Sequence, residues 1–137
     1  MKYIVTGGAG FIGSNIVKKL VSRGDQVTVI DNLNTGKKEN LVSVKDKIVF
    51  LKDSILNLDL LEKQTQDIDG IFHQAALASV QDSFSKPEEY HNVNVNGTEN
   101  ILKLAKKYNF KVVYASSSSV YGNPEKIPIK ESDSKNP

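Results

Sequence analysis

The stretch YIVTGGAGFIGSNIV, residues 3–17, decides the fold of this chain. It begins with aromatic, apolar and β-branched residues, which predict a strand. Gly8, Gly10 and Gly13 follow in the pattern G-x-G-x-x-G, with Gly7 before them, and apolar residues then recur at helical spacing. A strand, a glycine-rich turn and a helix in this order are typical of the turn that binds the pyrophosphate of a dinucleotide.

Strand-like and helical segments keep alternating beyond this turn. Parallel strands need helical crossovers, so the alternation predicts an α/β fold, a Rossmann-type doubly wound parallel sheet. An antiparallel α+β domain is the alternative. The later strands are predicted at 26–31, 48–51, 68–73 and 111–116, and the later helices at 57–65 and 88–108.

The predicted sheet indicates where one domain of the chain ends. Residues 1–121 would form an incomplete dinucleotide-binding domain, truncated after its fifth strand. Residues 122–137 are rich in proline and charge, which predicts a surface loop that leads toward a further helix and a substrate domain.

Composition limits the functions open to the chain. Its 137 residues allow one domain, and 18 Lys and Arg against 16 Asp and Glu leave a formal net charge of +2. So small an excess gives no reason to expect a nucleic-acid partner. With no cysteine and only two histidines, His73 and His91, we expect no metal site. The sequence shows neither a long apolar run nor a signal peptide, so we expect a cytoplasmic protein with no membrane partner.

Each part of the glycine turn has a physical reason. Gly7 can adopt the left-handed conformation of a tight turn, and Gly10 lets the backbone approach the pyrophosphate. Gly13 lets the helix pack against the sheet. Asp31 ends the second predicted strand, where its carboxylate can accept both ribose hydroxyls and repel a 2′-phosphate. The residues therefore predict NAD rather than NADP, and a glycine-rich turn that binds nothing is the alternative.

Four stretches carry a family resemblance: TGGAGFIGSNIV (6–17), VIDNLNTGKKENL (29–41), NVNVNGTENIL (92–102) and VVYASSSSVYGNP (112–124). With them, the chain resembles the N-terminal part of an extended short-chain dehydrogenase/reductase. The resemblance is to the nucleotide-sugar epimerase and dehydratase group, and within it to the UDP-hexose 4-epimerases. It covers essentially the whole chain.

The resemblance implies an NAD site. Asp31 and Asn32 would hold the adenosine ribose, and Asn94 would hold the segment that passes under the cofactor. Ser54 stands where the family has an aspartate that meets the adenine, and Asp53 comes one place early. The implied cofactor-binding residues are Gly7, Gly10, Phe11, Ile12, Gly13, Asp31, Asn32, Thr35, Gly36, Ser54, Ile55, Gln74, Ala75, Ala76, Leu77, Asn94 and Ser116.

The resemblance also implies a catalytic residue, Ser117, whose hydroxyl would hydrogen-bond the reacting oxygen of a nucleotide sugar. Ser118 and Ser119 would line the sugar pocket with it, where related dehydratases carry Asp-Glu and related decarboxylases carry a glutamate. Uncharged serines favour 4-epimerisation of a UDP-hexose: oxidation at C4 by NAD, rotation of the 4-keto sugar, and re-reduction. A serine-rich loop capped by its own hydroxyls is the alternative.

The family's base is the tyrosine of a Tyr-x-x-x-Lys motif, and no tyrosine of this sequence has a lysine four residues later. We therefore expect the N-terminal piece of a homodimeric epimerase. The 137 residues would bind NAD at best and would not epimerise. A natural NAD-binding module without catalysis is one alternative, and another nucleotide-sugar dehydratase or reductase is the other.

The two histidines are expected to lie outside the chemistry. His73 ends a buried strand, so we expect a hydrogen-bonded structural role. His91 lies among polar residues of a predicted helix, so we expect a surface position. The resemblance implies that segment 88–108 belongs to the dimer interface of the family, where it would leave an apolar stripe exposed.

Overall fold

Five strands form one sheet in the computed structural model, which describes residues 1–124 and 126–137. Their order is third, second, first, fourth and fifth along the sheet, and every neighbouring pair is parallel. The predicted doubly wound α/β sheet is confirmed, and the antiparallel alternative is wrong. The strands are β1 (Lys2–Thr6), β2 (Gln26–Ile30), β3 (Ile48–Leu51), β4 (Gly70–His73) and β5 (Lys111–Tyr114).

Helices make every connection between these strands. The α-helices are α1 (Phe11–Ser22), α2 (Leu58–Thr65), α3 (Val80–Ser85), α4 (Pro87–His91) and α5 (Gly97–Tyr108). A π-helical turn, Asn92–Asn96, joins α4 to α5, and 3-10 helices cover Lys38–Lys47 and Ser118–Tyr121.

The structure differs from the predicted helices in three places. The helix predicted at 88–108 is helical throughout and begins one residue earlier, at Pro87, but a π turn at Asn92–Asn96 inserts an extra residue between α4 and α5. Helix α3 was not predicted, because it buries no residue and so lacks an apolar stripe. The 3-10 helix between β2 and β3 was not predicted either, since Leu41 and Val44 are its buried residues and give too little periodicity.

The core has two layers, one on each face of the sheet. Neighbouring residues of a strand point to opposite faces, so Ile4 packs under α2 and α5 while Val5 packs under α1. Ile101 and Leu104 of α5 are buried in the first of these layers. Val95 and Leu102, on the same helical segment, are 44% and 51% exposed.

Strand register brings three strand ends together at one edge of the sheet. Thr6 at the end of β1 pairs with Ile30 of β2 on one side and with His73 of β4 on the other. The turns that follow these strands therefore meet, and open parallel sheets bind ligands at this edge. In the described part of residues 122–137 there are turns and bends without a helix or strand; Glu125, inside this predicted loop, lies outside the described residues. Over residues 1–124 and 126–137, no helix is both long and apolar enough to cross a bilayer.

Candidate functional site

The glycine turn after β1 brings two parts of the backbone unusually close. Gly7 has a φ of +66°, and a Cβ there would lie 2.7 Å from the Ala75 backbone nitrogen. A Cβ on Gly13 would overlap the Gly7 carbonyl oxygen and lie 2.8 Å from the Gly8 Cα. Side chains at these positions would push helix α1 away from the turn and the turn away from the end of β4.

Helix α1 begins directly after this turn with its first amides pointing out of the helix end. Its N-cap is Gly10, which supplies no side-chain hydrogen bond. The Phe11 and Ile12 side chains are 84% and 61% exposed. A capless N-terminus at the carboxyl edge of the sheet combines free N–H donors with the positive end of the helix dipole.

Asp31 is held in place by backbone amides. It is 7% exposed, and its Oδ2 accepts a hydrogen bond from the Ala9 N–H at 2.9 Å. Its Oδ1 accepts one from the Leu33 N–H at 2.8 Å. A Cβ at Gly36 would lie 2.8 Å from this carboxylate. The carboxylate thus ties the glycine turn to the loop after β2 and faces the space between them.

These turns enclose a cleft along the sheet edge that gathers most of the residues predicted to bind the cofactor. Phe11, Ile12 and Gly13 lie at the start of α1 and do not line it. Asn94 and Ser116 line a neighbouring cavity instead. The lining residues of the cleft are Gly7, Gly10, Ile30, Asp31, Asn32, Asn34, Thr35, Gly36, Asp53, Ser54, Ile55, Gln74, Ala75, Ala76, Leu77 and Val93.

Asp53 and Ser54 both lie in the cleft wall after β3. The Asp53 carboxylate accepts hydrogen bonds from the Ser54 N–H at 2.7 Å and from Asn57 Nδ2 at 3.1 Å. Ser54 Oγ accepts one from the Leu56 N–H at 3.2 Å. Ile55 is 3% exposed and belongs mainly to the core. Four residues that line the cleft were not among the predicted cofactor residues: Ile30, Asn34, Asp53 and Val93. For Asp53 the available signal was its acidic side chain, one place before Ser54.

A second cavity, of about 500 Å³, adjoins the cleft. Both are lined by residues 74–77, so this segment is the wall between them. Ser116, Ser117 and Ser119 line the second cavity, and Ser118 is not among its lining residues. The Ser117 and Ser119 hydroxyl oxygens lie 3.0 Å apart, and the Ser119 N–H donates to Ser117 Oγ at 3.2 Å.

Asn94 supports the shared wall by a pair of hydrogen bonds. Its Oδ1 accepts from the Leu77 N–H at 2.8 Å, and its Nδ2 donates to the Leu77 carbonyl at 2.9 Å. Asn100, farther along the same helical segment, supports the cleft wall after β3, because its Nδ2 donates to the Ile55 carbonyl at 3.2 Å. Both amides position backbone that lines the cleft.

His73 is 1% exposed, and each ring nitrogen has a polar neighbour. Nδ1 lies 2.7 Å from Thr6 Oγ1, and Nε2 lies 3.0 Å from Thr98 Oγ1. Burial lowers the pKa of its imidazole to about 4, so the ring is neutral at pH 7. His91 is exposed. In the described part of the chain, no group of three His, Asp and Glu residues could hold a metal ion.

Comparison with known proteins gives a family match over nearly the whole chain. Residues 3–137 match the NAD dependent epimerase/dehydratase family. A putative UDP-glucose 4-epimerase of Methanocaldococcus jannaschii is 43% identical over 137 residues, which cover 98% of this chain and 44% of that protein. UDP-glucuronic acid decarboxylase 1 of Arabidopsis thaliana is 42% identical over 131 residues, which cover 96% of this chain and 29% of that protein.

A solved structure matches the fold closely. It is the crystal structure of UDP-glucose-4-epimerase from Stenotrophomonas maltophila with bound NAD and formylated UDP-arabinopyranose. Its TM-score is 0.90 at 30% identity, and the match covers 99% of this chain and 43% of that one. The chain thus spans less than half the length of the proteins it matches.

Proposed function

Because the chain belongs to the NAD dependent epimerase/dehydratase family, we propose that it forms the NAD-binding part of a nucleotide-sugar 4-epimerase. The observation that carries the proposal is the cleft at the carboxyl edge of the sheet. Its floor is a turn where a Cβ on Gly7 would lie 2.7 Å from the backbone after β4. A dinucleotide pyrophosphate needs such a close approach of bare backbone, so the residues fit the cofactor.

The residues around the turn divide the binding of the cofactor between them. The Phe11 and Ile12 amides at the start of α1 would donate to the pyrophosphate, which the helix dipole also favours. Asp31, already fixed by two backbone amides, would accept hydrogen bonds from the adenosine ribose through its remaining lone pairs. A carboxylate here would also repel a 2′-phosphate, which is the basis for proposing NAD over NADP.

Farther residues would shape the two ends of the cofactor site. Asp53 and Ser54 would border the adenine. The small side chains of Ala75 and Ala76 would let the nicotinamide-side ribose lie close to the wall between the two cavities. When bound, NAD would supply the hydride acceptor and donor for chemistry at one sugar carbon.

The second cavity is proposed to take the sugar of a UDP-hexose. Its volume of about 500 Å³ is within the range of small-molecule sites. Ser117 would hydrogen-bond the reacting sugar oxygen, and Ser119 would exchange its present hydrogen bond with Ser117 for one with the sugar. Ser116 would line the side nearest the cofactor. Because one similar protein is a decarboxylase, decarboxylation is the second candidate; uncharged Ser118 and Ser119 favour epimerisation, since neither can transfer a proton at neutral pH.

We further propose that the 137-residue chain binds NAD without epimerising a sugar. A tyrosine can act as a base near neutral pH when a lysine one helical turn away lowers its pKa. In the family's motif this lysine comes four residues after the tyrosine, and none of the five tyrosines of the sequence has a lysine at that position. An NAD-binding module without catalysis remains the alternative to an epimerase, and a homodimer that includes α5 is proposed for the whole enzyme.

The enzymatic part is tested on the gene that encodes the chain. If its reading frame continues past codon 137 into a Tyr-x-x-x-Lys segment, the full product should interconvert two UDP-hexose 4-epimers. Ser117→Ala in that product should lower kcat by roughly a hundredfold, since one hydrogen bond to the reacting oxygen is lost. Ser22→Ala, on the far end of α1, is the matched control. A stop codon after Pro137 would leave the NAD-binding module as the better proposal.

A further inference from the structure

A directed chain of hydrogen bonds runs through the buried imidazole of His73. Thr98 Oγ1 donates to the Asn94 carbonyl at 2.7 Å, so its lone pairs face His73 Nε2, which is 3.0 Å away. That nitrogen must therefore carry the proton. Nδ1 is then an acceptor, and Thr6 Oγ1, at 2.7 Å, is its donor. The ring is fixed as the neutral Nε2–H tautomer.

Both ends of this chain of bonds finish on the wall between the two cavities. At one end, the Ala75 N–H points to Thr6 Oγ1 at 3.4 Å. At the other, Asn94 makes its two hydrogen bonds with the Leu77 backbone at 2.8 and 2.9 Å. The links in between come from β1, β4 and the first turn of α5. Three separate elements thus fix one short piece of backbone.

We propose that His73 and Thr98 are positioning residues that hold the wall segment 74–77 in its cofactor-binding shape. The imidazole sets the direction of the Thr98 hydroxyl, which in turn anchors Asn94 where its amide meets Leu77. Neither side chain touches the cofactor in this proposal. It rests on the proposed NAD site, because the wall it shapes is the one that lines the cleft.

The geometry explains why a polar chain lies here at all. A valine at 98 would have nearly the same volume, but it would leave the buried Nε2–H without an acceptor and would remove the hydroxyl that bonds the Asn94 carbonyl. A buried group that loses its hydrogen bond costs about the free energy of a tenfold change in an equilibrium constant. We expect the loss to weaken the attachment of the wall segment, because Asn94 connects Thr98 to the Leu77 backbone.

The test compares two threonine variants in the 137-residue chain. Thr98→Val should weaken NAD binding roughly tenfold and speed the exchange of the Leu77 amide hydrogen by a similar factor. Thr98→Ser keeps the hydroxyl and should restore both values. Thr65→Val is the control: Thr65 is 1% exposed and donates only to its own helix turn, at Glu62, away from the cleft.

Each outcome decides the proposal. Equal NAD affinities and equal Leu77 exchange in the two valine variants would overturn it, and so would an Nδ1–H or charged His73 in the nitrogen NMR spectrum. The predicted spectrum shows a protonated Nε2 and a bare Nδ1 at pH 7. If the unmodified chain binds no NAD, the proposed function fails, while the Leu77 exchange and the His73 spectrum still decide the positioning role.

Discussion

The two cavities at the sheet edge are built in opposite ways. The cleft beside the glycine turn is lined by groups that backbone contacts already fix, such as Asp31 at 7% exposure with two amide donors. The serine cavity is lined by exposed hydroxyls, and Ser117 bonds mainly to Ser119 two residues away. A preformed cleft, the proposed cofactor site, therefore lies next to the proposed substrate cavity, whose polar groups still pair with one another.

Under the proposed function, this difference separates the groups that bind the cofactor from those that would contact the sugar. Rigid, preorganised groups bind a ligand without a large ordering cost. Hydroxyls that satisfy one another must exchange partners before they can hold a sugar. We therefore expect changes in the cleft to alter stability and cofactor affinity together, and changes in the serine loop to leave both almost untouched.

The largest effect on stability and NAD binding is expected at Gly13, where α1 packs against the glycine turn. Gly13→Ala would place a Cβ against the Gly7 carbonyl oxygen, a backbone atom that cannot rotate away. We expect a loss of about 4 kcal/mol in the free energy of unfolding, together with loss of NAD binding. Urea denaturation and calorimetric titration measure the two effects.

Gly24→Ala is the matched control for that change. Gly24 has a φ of +83° with no atom within 4 Å of a built Cβ, so the variant carries conformational strain without a clash. We expect a loss of about 1 kcal/mol in the free energy of unfolding and an unchanged NAD affinity. Equal losses in the two variants would mean that close packing of α1 on the turn is not what the site depends on.

The second effect concerns pH and the buried imidazole. Burial lowers the pKa of His73 from 6.5 to about 4, so the unfolded chain takes up a proton before the folded one does. The stabilising contribution is therefore complete above pH 6.5 and is lost as the pH falls toward 4, by about 3 kcal/mol. Denaturation between pH 4 and pH 8 should show this slope in the unmodified chain and a flatter one in His73→Gln. The same slope in both would refute the assignment.

The third effect is a change in cofactor preference. Asp31→Asn removes the charge and turns an amide toward the donors at Ala9 and Leu33. We expect roughly tenfold weaker NAD binding, a smaller difference between NAD and NADP, and about 2 kcal/mol less stability. Asp46→Asn, on an exposed carboxylate, should change none of these. An unchanged preference for NAD in Asp31→Asn would show that Asp31 is not the ribose ligand.

The smallest effect is expected in the serine cavity. Ser117→Ala removes an exposed hydroxyl that caps the 3-10 helix Ser118–Tyr121 by accepting the Ser119 N–H. We expect about 0.5 kcal/mol less stability and an NAD affinity within twofold of the unmodified chain. A tenfold drop in affinity would show that the two cavities are not separable.

The same contrast explains what the sequence could predict. The strands, their parallel pairing and the glycine turn follow from local patterns, because β-rich runs, helical spacing and the G-x-G-x-x-G sequence after β1 can each be recognised within a short stretch. The Asn94 bonds to Leu77 and the Thr6–His73–Thr98 chain join residues from separate elements. No periodicity encodes such contacts, so the sequence indicated a role for Asn94 without its geometry. Helix α3 was missed because it buries no residue. The sequence alone did not decide whether Asp53 or Ser54 faces the cleft after β3, and in the structure both residues line it.

The central claim is that these 137 residues already contain a formed NAD site, and calorimetric titration of the chain with NAD and then NADP tests it most directly. The account predicts one NAD bound per chain and at least roughly tenfold weaker binding of NADP, the penalty expected when a 2′-phosphate meets the Asp31 carboxylate. No binding at millimolar NAD, or equal affinity for both cofactors, would contradict it.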